Sequence, residues 1–229
     1  MKIGIQFTKN VEKYAKILQD IQSEIQTDQV LEFIHITDEE SLHQHLPKLD
    51  VLACYRMSPE SFTHISTSLH WIHFGAAGIE HSLFPELLKS DIAITNARGI
   101  HAGPVSEFVL GTILYFAKRF QDFQQFKTDQ QWKQWDIAKR MVQLSGKTAG
   151  IIGYGRIGKV VAQRLSAMGM NVIALQRHLE NKNILSPKQL NELLTQSDFV
   201  VITCPLTPET RGWIDDFALS QMKSTAYLI

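Results

Sequence analysis

The segment Gly153-Tyr154-Gly155-Arg156-Ile157-Gly158 constrains the fold of this chain more than any other feature of its sequence. It directly follows a predicted strand, Ala149 to Ile152, and opens a predicted helix, Ile157 to Met168. In a G-x-G-x-x-G turn the first glycine allows a tight turn, the second lets backbone amides approach a pyrophosphate, and the third lets helix and strand pack closely. The helix N-terminus adds N–H donors and positive partial charge. The turn therefore predicts a dinucleotide-binding domain, with a ligand-free turn as the alternative.

The end of the next predicted strand, Val172 to Leu175, bears on the choice of cofactor. An NAD site usually has Asp or Glu there, about 20 residues beyond the turn, to accept a hydrogen bond from the ribose 2′-hydroxyl. In this chain the position is Gln176, and Arg177 follows it. A neutral amide does not repel a 2′-phosphate, and a guanidinium can bind one through paired hydrogen bonds. The two residues favour NADP over NAD, unless Arg177 is only a solvated surface cation.

Composition excludes several classes of protein. The 229 residues include 23 Lys and Arg against 23 Asp and Glu, and this zero net charge argues against nucleic-acid or anionic-membrane partners. No apolar run approaches the 18 or so residues of a membrane span, and the first residues resemble a strand and not a signal peptide. Cys54 and Cys204 form no Cys-x-x-Cys pair, so neither a disulfide framework nor a zinc site is predicted. We therefore expect a cytoplasmic protein.

Residues 1–100 alternate short apolar runs with segments of helical period. Ile3, Ile5 and Phe7 alternate with polar residues and predict a strand, and apolar residues at three- and four-residue steps from Tyr14 to Ile25 predict an amphipathic helix. Further strands are predicted at 31–36, 50–55, 71–74 and 92–95. Five strands separated by helices indicate a parallel sheet covered on both faces. For this α/β domain we expect flavodoxin-like winding.

Residues 101–229 begin with a different pattern. One apolar face from Val105 to Phe116 predicts a long helix after Pro104, and the aromatic-rich stretch from Phe120 to Trp135 is interpreted as a helical arm that packs on the body or on a second subunit. A role in ligand stacking is the alternative for these aromatic residues. Four strands are predicted beyond Gly146, at 149–152, 172–175, 199–203 and 226–229. A dinucleotide-binding domain usually has about six, so we expect residues 101–229 to hold a connecting helix and a Rossmann domain that is incomplete at the C-terminus.

Three blocks of the sequence form a pattern together. They are Phe74-Gly75-Ala76-Ala77-Gly78-Ile79 with Thr95-Asn96-Ala97-Arg98-Gly99 and Pro104-Val105-Ser106-Glu107, then the glycine-rich turn, then Cys204-Pro205-Leu206-Thr207-Pro208-Glu209-Thr210-Arg211-Gly212 with Met222-Lys223. In this order over residues 70 to 229, the blocks resemble the D-isomer-specific 2-hydroxyacid dehydrogenases, which include phosphoglycerate dehydrogenases and glyoxylate/hydroxypyruvate reductases. The third block is far more specific than a dinucleotide fingerprint. The resemblance implies an NAD(P)-dependent oxidoreductase that reduces a small 2-keto acid such as glyoxylate or hydroxypyruvate.

The resemblance also implies where substrate and partner bind. Residues 1–100 would be the substrate domain, and the backbone of the Ala77-Gly78 turn would hold the substrate carboxylate at an interdomain cleft, because main-chain amides supply donors without a second charge. A plain strand-to-helix corner is the alternative. Arg56 could assist an anionic substrate or could be a surface residue. The helix after Pro104 would form a homodimer interface.

For the cofactor, the resemblance implies a set of residues around the turn. Arg156 and Ile157 would lie under the pyrophosphate, and Val105 would touch the nicotinamide. The loop after the third strand of the nucleotide domain would flank the adenosine. The predicted cofactor-binding residues are Val105, Gly153, Tyr154, Gly155, Arg156, Ile157, Gly158, Gln176, Arg177, Cys204, Pro205, Leu206 and Thr210.

The catalytic residues of the family are not found in this sequence. The resemblance places an Arg that orients the keto acid, and a His–Glu pair that transfers a proton, beyond Ile229, so we expect the chain to be C-terminally truncated. His101 is a poor substitute because it has no evident carboxylate partner. A truncated, non-catalytic remnant that binds nucleotide or a partner subunit is the second hypothesis, and an unrelated enzyme of the same fold is a third, against which the third block argues. No metal site is predicted from the two remaining histidine pairs, His43 with His45 and His70 with His73.

Overall fold

The computed structural model describes residues 1–176 and 184–229, which divide into two compact units, Met1–Ile100 and His101–Ile229. The first unit is built on a five-stranded parallel sheet with the strand order β2-β1-β3-β4-β5. This is the winding of flavodoxin-like folds, so the predicted fold class is confirmed for this unit. The strands are β1 Lys2–Gln6, β2 Glu32–His35, β3 Val51–Cys54, β4 Trp71–Phe74 and β5 Ala93–Asn96.

Three of the four helices of the first unit begin at a polar side chain that caps them. Asn10 accepts a hydrogen bond from the Lys13 amide at 2.9 Å, and Ser58 accepts one from the Ser61 amide at 3.0 Å, with Pro59 in the first helical position. The central strands and the helices enclose a fully buried core that includes Leu52 and Phe74. The helices are α1 Val11–Glu24, α2 Glu39–His45, α3 Pro59–Phe62 and α4 Pro85–Leu88, with 3₁₀ turns at Leu46–Lys48 and Glu80–Ser82.

The second unit also has a five-stranded parallel sheet, in the order β10-β9-β6-β7-β8. Counted within the unit, this is the 3-2-1-4-5 order of a Rossmann fold, as predicted. The prediction of four strands was wrong because it missed β8, whose two residues are too few to show a period. The strands are β6 Thr148–Ile152, β7 Asn171–Leu175, β8 Ile184–Leu185, β9 Phe199–Ile202 and β10 Tyr227–Leu228.

Six helices of the described residues belong to the second unit, and α5 packs along α8. Arg164 of α8 donates to the Gly103 carbonyl at 3.0 Å and pairs with Glu107 at 3.2 Å, which ties the two helices together. None of the helices in the described ranges is long and apolar enough to cross a membrane. The helices are α5 Ala102–Ala117, α6 Phe120–Thr128, α7 Gln134–Ala138, α8 Arg156–Ala167, α9 Leu190–Gln196 and α10 Asp216–Gln221, with a 3₁₀ turn at Pro187–Gln189.

Helix α5 differs from its prediction in one respect. Val109 and Ile113 are buried, but Phe108 is 71% exposed, so the residues assigned to one apolar face do not share one buried surface. The reason is that α5 covers α8 with one side only, and apolar residues lie on its other side as well. The arm that follows is not one helix, because Gln130, at a φ of 52°, lies in the break between α6 and α7.

Candidate nucleotide-binding site

The glycine-rich turn is fixed by the strands on either side of β6. Gly153 has a φ of 107°, and a Cβ there would meet the backbone of Cys204, whose Cα lies 2.7 Å from that position. The Thr203 hydroxyl donates to the Gly153 carbonyl at 2.7 Å, and the Gly153 and Tyr154 amides donate to the Leu175 carbonyl at 3.2 and 2.9 Å. Only glycine fits at this first position.

The other two glycines of the motif have different surroundings. A Cβ on Gly158 would press into the Gly153 carbonyl, so this glycine is what lets α8 lie close to β6. A Cβ on Gly155 would have no heavy atom within 4 Å, so the space beside the helix terminus is open. Gly155 is the N-cap of α8 and no side chain caps the helix. Within residues 1–176 and 184–229, the Arg156 and Ile157 amides have no acceptor, which leaves donors for an anion.

A cavity of about 260 Å³ opens beside this turn, at the carboxyl ends of β6, β7 and β9. The size is close to the lower end of small-molecule sites, about 300–1,000 Å³. None of its described lining residues is acidic. The structure brings together Gly153, Tyr154, Gly155, Gln176, Cys204, Pro205 and Thr210 of the predicted set, and adds Leu175, Pro187, Thr207 and Trp213, which sequence reasoning missed.

Other predicted residues lie outside this cavity. Gly158, like Arg156 and Ile157, belongs to the first turn of α8. Leu206 is 72% exposed, and Val105 packs on the core of the second unit. Arg177 lies outside the described residues.

Gln176 carries an unusual buried atom. Its backbone amide donates to the Leu185 carbonyl at 3.1 Å, but its side-chain Oε1 is buried and has no hydrogen-bond partner in the described part of the chain. A buried acceptor without a partner costs about 1–3 kcal/mol. A hydroxyl or other donor of a bound molecule would remove that cost, so Gln176 fits a ligand at the end of β7.

The segment after β9 is closed by its own hydroxyl groups. Thr210 Oγ1 donates to the Pro205 carbonyl at 2.7 Å and accepts from the Thr207 amide at 2.8 Å. These bonds hold the loop as one wall of the cavity, so the Thr210 side chain acts by positioning that wall. Burial raises the pKa of the Cys204 thiol, which keeps it neutral.

The predicted substrate residues lie in the first unit and do not share a cavity there. Asn96 Nδ2 donates to the Ala77 carbonyl at 2.7 Å, which fixes the turn, while no described residue accepts from the Ala77 and Gly78 amides. Exposed Arg56 instead lines a shallow cavity of about 740 Å³ with Phe7, among others. In the residues that the structure describes, no group of three or more His, Cys, Asp or Glu could hold a metal ion.

A model of the D-isomer specific 2-hydroxyacid dehydrogenase NAD binding domain matches residues 110–229, which is more than half of the chain. The chain belongs to this dehydrogenase family. Among curated proteins, it is 34% identical over 161 residues to a glyoxylate reductase of Thermofilum pendens, covering 67% of this chain and 48% of the relative. It is 31% identical over 151 residues to a hydroxypyruvate reductase of Blautia hydrogenotrophica, covering 62% and 46%. The chain thus spans about half the length of the curated relatives it matches.

Two solved structures of dehydrogenases have a similar fold. A D-isomer specific 2-hydroxyacid dehydrogenase from Lactobacillus delbrueckii ssp. bulgaricus, in its NAD complexed form, matches with a TM-score of 0.77 at 19% identity, over 100% of this chain and 70% of that one. An NAD-dependent formate dehydrogenase from Staphylococcus aureus, in complex with NAD, matches with a TM-score of 0.66 at 27% identity, over 100% and 72%.

Proposed function

We propose that the second unit of this chain binds a nicotinamide dinucleotide, and that the protein reduces a small 2-keto acid such as glyoxylate or hydroxypyruvate. The observation that carries the proposal is the terminus of α8, where Gly155 leaves open space and the Arg156 and Ile157 amides have no acceptor within the described chain. Such a terminus suits a pyrophosphate. When bound, the nicotinamide would supply the hydride.

Each part of the dinucleotide has residues that suit it. The amides of the first turn of α8 would donate to the pyrophosphate, and Gln176 would face the adenosine ribose at the end of β7. The loop that holds Cys204 and Pro205 would cover the adenosine side, and Val105 would contact the nicotinamide. These assignments extend the family resemblance to this chain.

NADP is the dinucleotide that this site favours. The described residues of the cavity wall include no carboxylate to repel a 2′-phosphate, and Arg177 follows Gln176 in the sequence. Arg177→Ala is expected to weaken NADPH binding by about tenfold, as the loss of a charge-assisted contact does, and to change NADH binding little. Calorimetric titration measures both. Lys188→Ala, which removes an exposed cation outside the cavity, is the control, and equal losses for both cofactors in Arg177→Ala would contradict NADP preference.

The substrate proposal rests on the Ala77-Gly78 turn. Its two amides have no acceptor in the described residues, so they could hold a carboxylate without adding charge. Arg56, which lines a separate cavity together with Lys9, would assist an anionic substrate.

Turnover by the protein made from its native gene tests the proposal. Glyoxylate and hydroxypyruvate are each mixed with NADPH or NADH, and oxidation of the dinucleotide is followed. We expect consumption of dinucleotide with at least one keto acid. A protein that binds nucleotide and consumes none would favour the second hypothesis, a non-catalytic nucleotide-binding protein.

We also place the protein in the cytoplasm, where its two cysteines would stay unpaired.

The last part of the proposal is a homodimer formed through α5. Phe108 on α5 is 71% exposed, and Trp135 of the aromatic arm is 72% exposed, so both rings offer apolar surface that a second subunit would cover. Phe108→Asp is expected to convert the dimer to monomer in sedimentation measurements, because a charge would be buried at the interface. A wild-type chain that sediments as a monomer would contradict the dimer.

A further inference from the structure

Trp213 lines the cavity beside the glycine-rich turn, although no sequence motif points to this residue. It follows Gly212, which has a φ of 76°, and its amide donates to the Thr210 carbonyl at 3.2 Å. The turn thereby directs a partly buried indole to the cavity, where it also packs on the small cluster that contains Leu175. Trp132 and Trp135 are by contrast largely exposed, at 83% and 72%.

The wall around Trp213 suits a flat apolar group. Leu175, Pro187 and Pro205 contribute apolar surface, and the Thr210 hydroxyl is committed to the backbone of its own loop. A planar heterocycle gains most from such a wall, because stacking and apolar contact need no hydrogen-bond partner. Gln176 lines the same cavity and stands at the end of β7, where Rossmann folds contact the adenosine ribose. The part of the dinucleotide that would lie beside both Gln176 and Trp213 is therefore the adenine base.

We propose that Trp213 contacts the adenine ring of the bound dinucleotide and sets the affinity for its adenosine half. This inference rests on the proposed nucleotide binding and adds a residue whose effect differs from that of Arg177. The indole acts on the base, which NAD and NADP share, whereas Arg177 acts on the 2′-phosphate, which only NADP carries. Trp213 therefore controls overall affinity and leaves the ratio between the two cofactors unchanged.

Calorimetric titration with NADPH, NADH and ADP-ribose tests this separation. Trp213→Ala is expected to weaken all three by about tenfold, a value within the range for base stacking on aromatic side chains. Trp213→Phe keeps a ring and is expected to bind within about threefold of the wild type. The control Trp132→Ala removes an exposed indole and should bind as the wild type does.

Tryptophan fluorescence gives a readout that a merely structural role would not move. ADP-ribose lacks the nicotinamide, so a change in emission on its binding reports contact with the adenosine half. We expect the change in the wild type and not in Trp213→Phe, which retains Trp71, Trp132 and Trp135 and still binds the ligand in the calorimeter. This arm holds even if Trp213→Ala fails to fold.

The possible results distinguish a failure of the Trp213 contact from a failure of the proposed nucleotide binding. A folded wild-type chain that binds none of the three ligands overturns the proposed function and this inference together. Normal nucleotide binding by the wild type and by Trp213→Ala overturns the inference alone. So does a loss confined to NADPH, or an ADP-ribose response that persists in Trp213→Phe.

Discussion

The sheets of the two units begin in the same way at the amino ends of their strands. The residues that follow the carboxyl ends of the strands differ between the units. At the amino ends, Asp50 accepts from the Lys2 amide of β1 at 2.6 Å, and Asp198 accepts from the Thr148 amide of β6 at 2.8 Å. In both cases an aspartate just before a neighbouring strand fixes the start of the first strand of the unit. At their carboxyl ends, β1 and β6 lead into helices that begin in different ways.

The difference lies in how the helix that follows the first strand of each unit begins. In the first unit the Asn10 side chain caps α1 by accepting from the Lys13 amide. In the second unit Gly155 precedes α8, and no side chain caps the helix. A capping side chain satisfies donors that a phosphate could otherwise use. The capped helix therefore serves the fold, and the uncapped helix is available to a ligand.

The central strands make the same contrast. Phe7 after β1 and Tyr55 after β3 place their ring centroids 5.0 Å apart. At the corresponding place between β6 and β9, Gly153 touches the backbone of Cys204 and a cavity opens beside it. A parallel sheet alone is therefore not enough to make a phosphate site. The glycines after the carboxyl end of β6 are also needed, because they leave room for a ligand.

The largest expected effect comes from substituting two glycines of the same turn, Gly153 and Gly155, one at a time. Gly153→Ala forces an alanine to a φ of 107° and against the Cys204 backbone, so we expect a loss of roughly 2–4 kcal/mol in the free energy of unfolding. Gly155→Ala meets no atom within 4 Å, so we expect only the smaller cost of alanine at an N-cap, about 0.5–1.5 kcal/mol. Its methyl group stands where a pyrophosphate would approach, so NADPH affinity should fall by about tenfold or more.

Urea denaturation and calorimetric titration of the two variants make this measurement. The two variants serve as each other's control, because the two glycines lie two residues apart in the same turn. Unchanged NADPH binding in a folded Gly155→Ala would contradict the assignment of α8.

A smaller effect is expected at the amino end of the second sheet. Burial raises the pKa of Asp198, but the hydrogen bond from the Thr148 amide and the Lys223 ammonium at 3.0 Å outweigh it, so the pKa lies below its ordinary value. A lowered folded-state pKa means that the stabilisation is complete above the unfolded pKa and is lost as pH falls through the folded one. Asp198→Asn should cost about 1.5–3 kcal/mol at neutral pH.

The pH dependence of that cost is the decisive observation. The difference in unfolding free energy between Asp198→Asn and the wild type should shrink as pH falls through the acid range, because the wild-type carboxyl becomes neutral. Asp50→Asn is the matched change in the first unit. A difference that stays constant with pH would show that the charge of Asp198 contributes nothing.

The smallest effect is expected at the capped helix. Asn10→Ala removes the acceptor of the Lys13 amide and should lower the free energy of unfolding by about 1 kcal/mol. Nucleotide affinity should not change, since this helix begins in the first unit. A loss of NADPH binding in this variant would break the contrast between the two helices.

Much of this arrangement could be predicted from the sequence because it depends on local patterns. Alternation and helical period located the strands and helices, and the spacing of Gly153, Gly155 and Gly158 located the turn. Trp213 could not be found in this way, since it reaches the cavity only through the hydroxyl-bonded loop at Thr210. Phe108 was assigned to the same apolar face as Val109 and Ile113 because a single sequence does not tell which side of α5 another helix covers.

Backbone amide NMR during titration with NADPH shows whether the start of α8 binds the pyrophosphate. We expect the amide signals of Gly155, Arg156 and Ile157 to shift at the start of α8, and those of Val11 and Glu12 at the start of α1 to stay in place. If the α8 signals did not move while the chain was saturated with nucleotide, or if both helix starts moved alike, the uncapped terminus would not be the phosphate site.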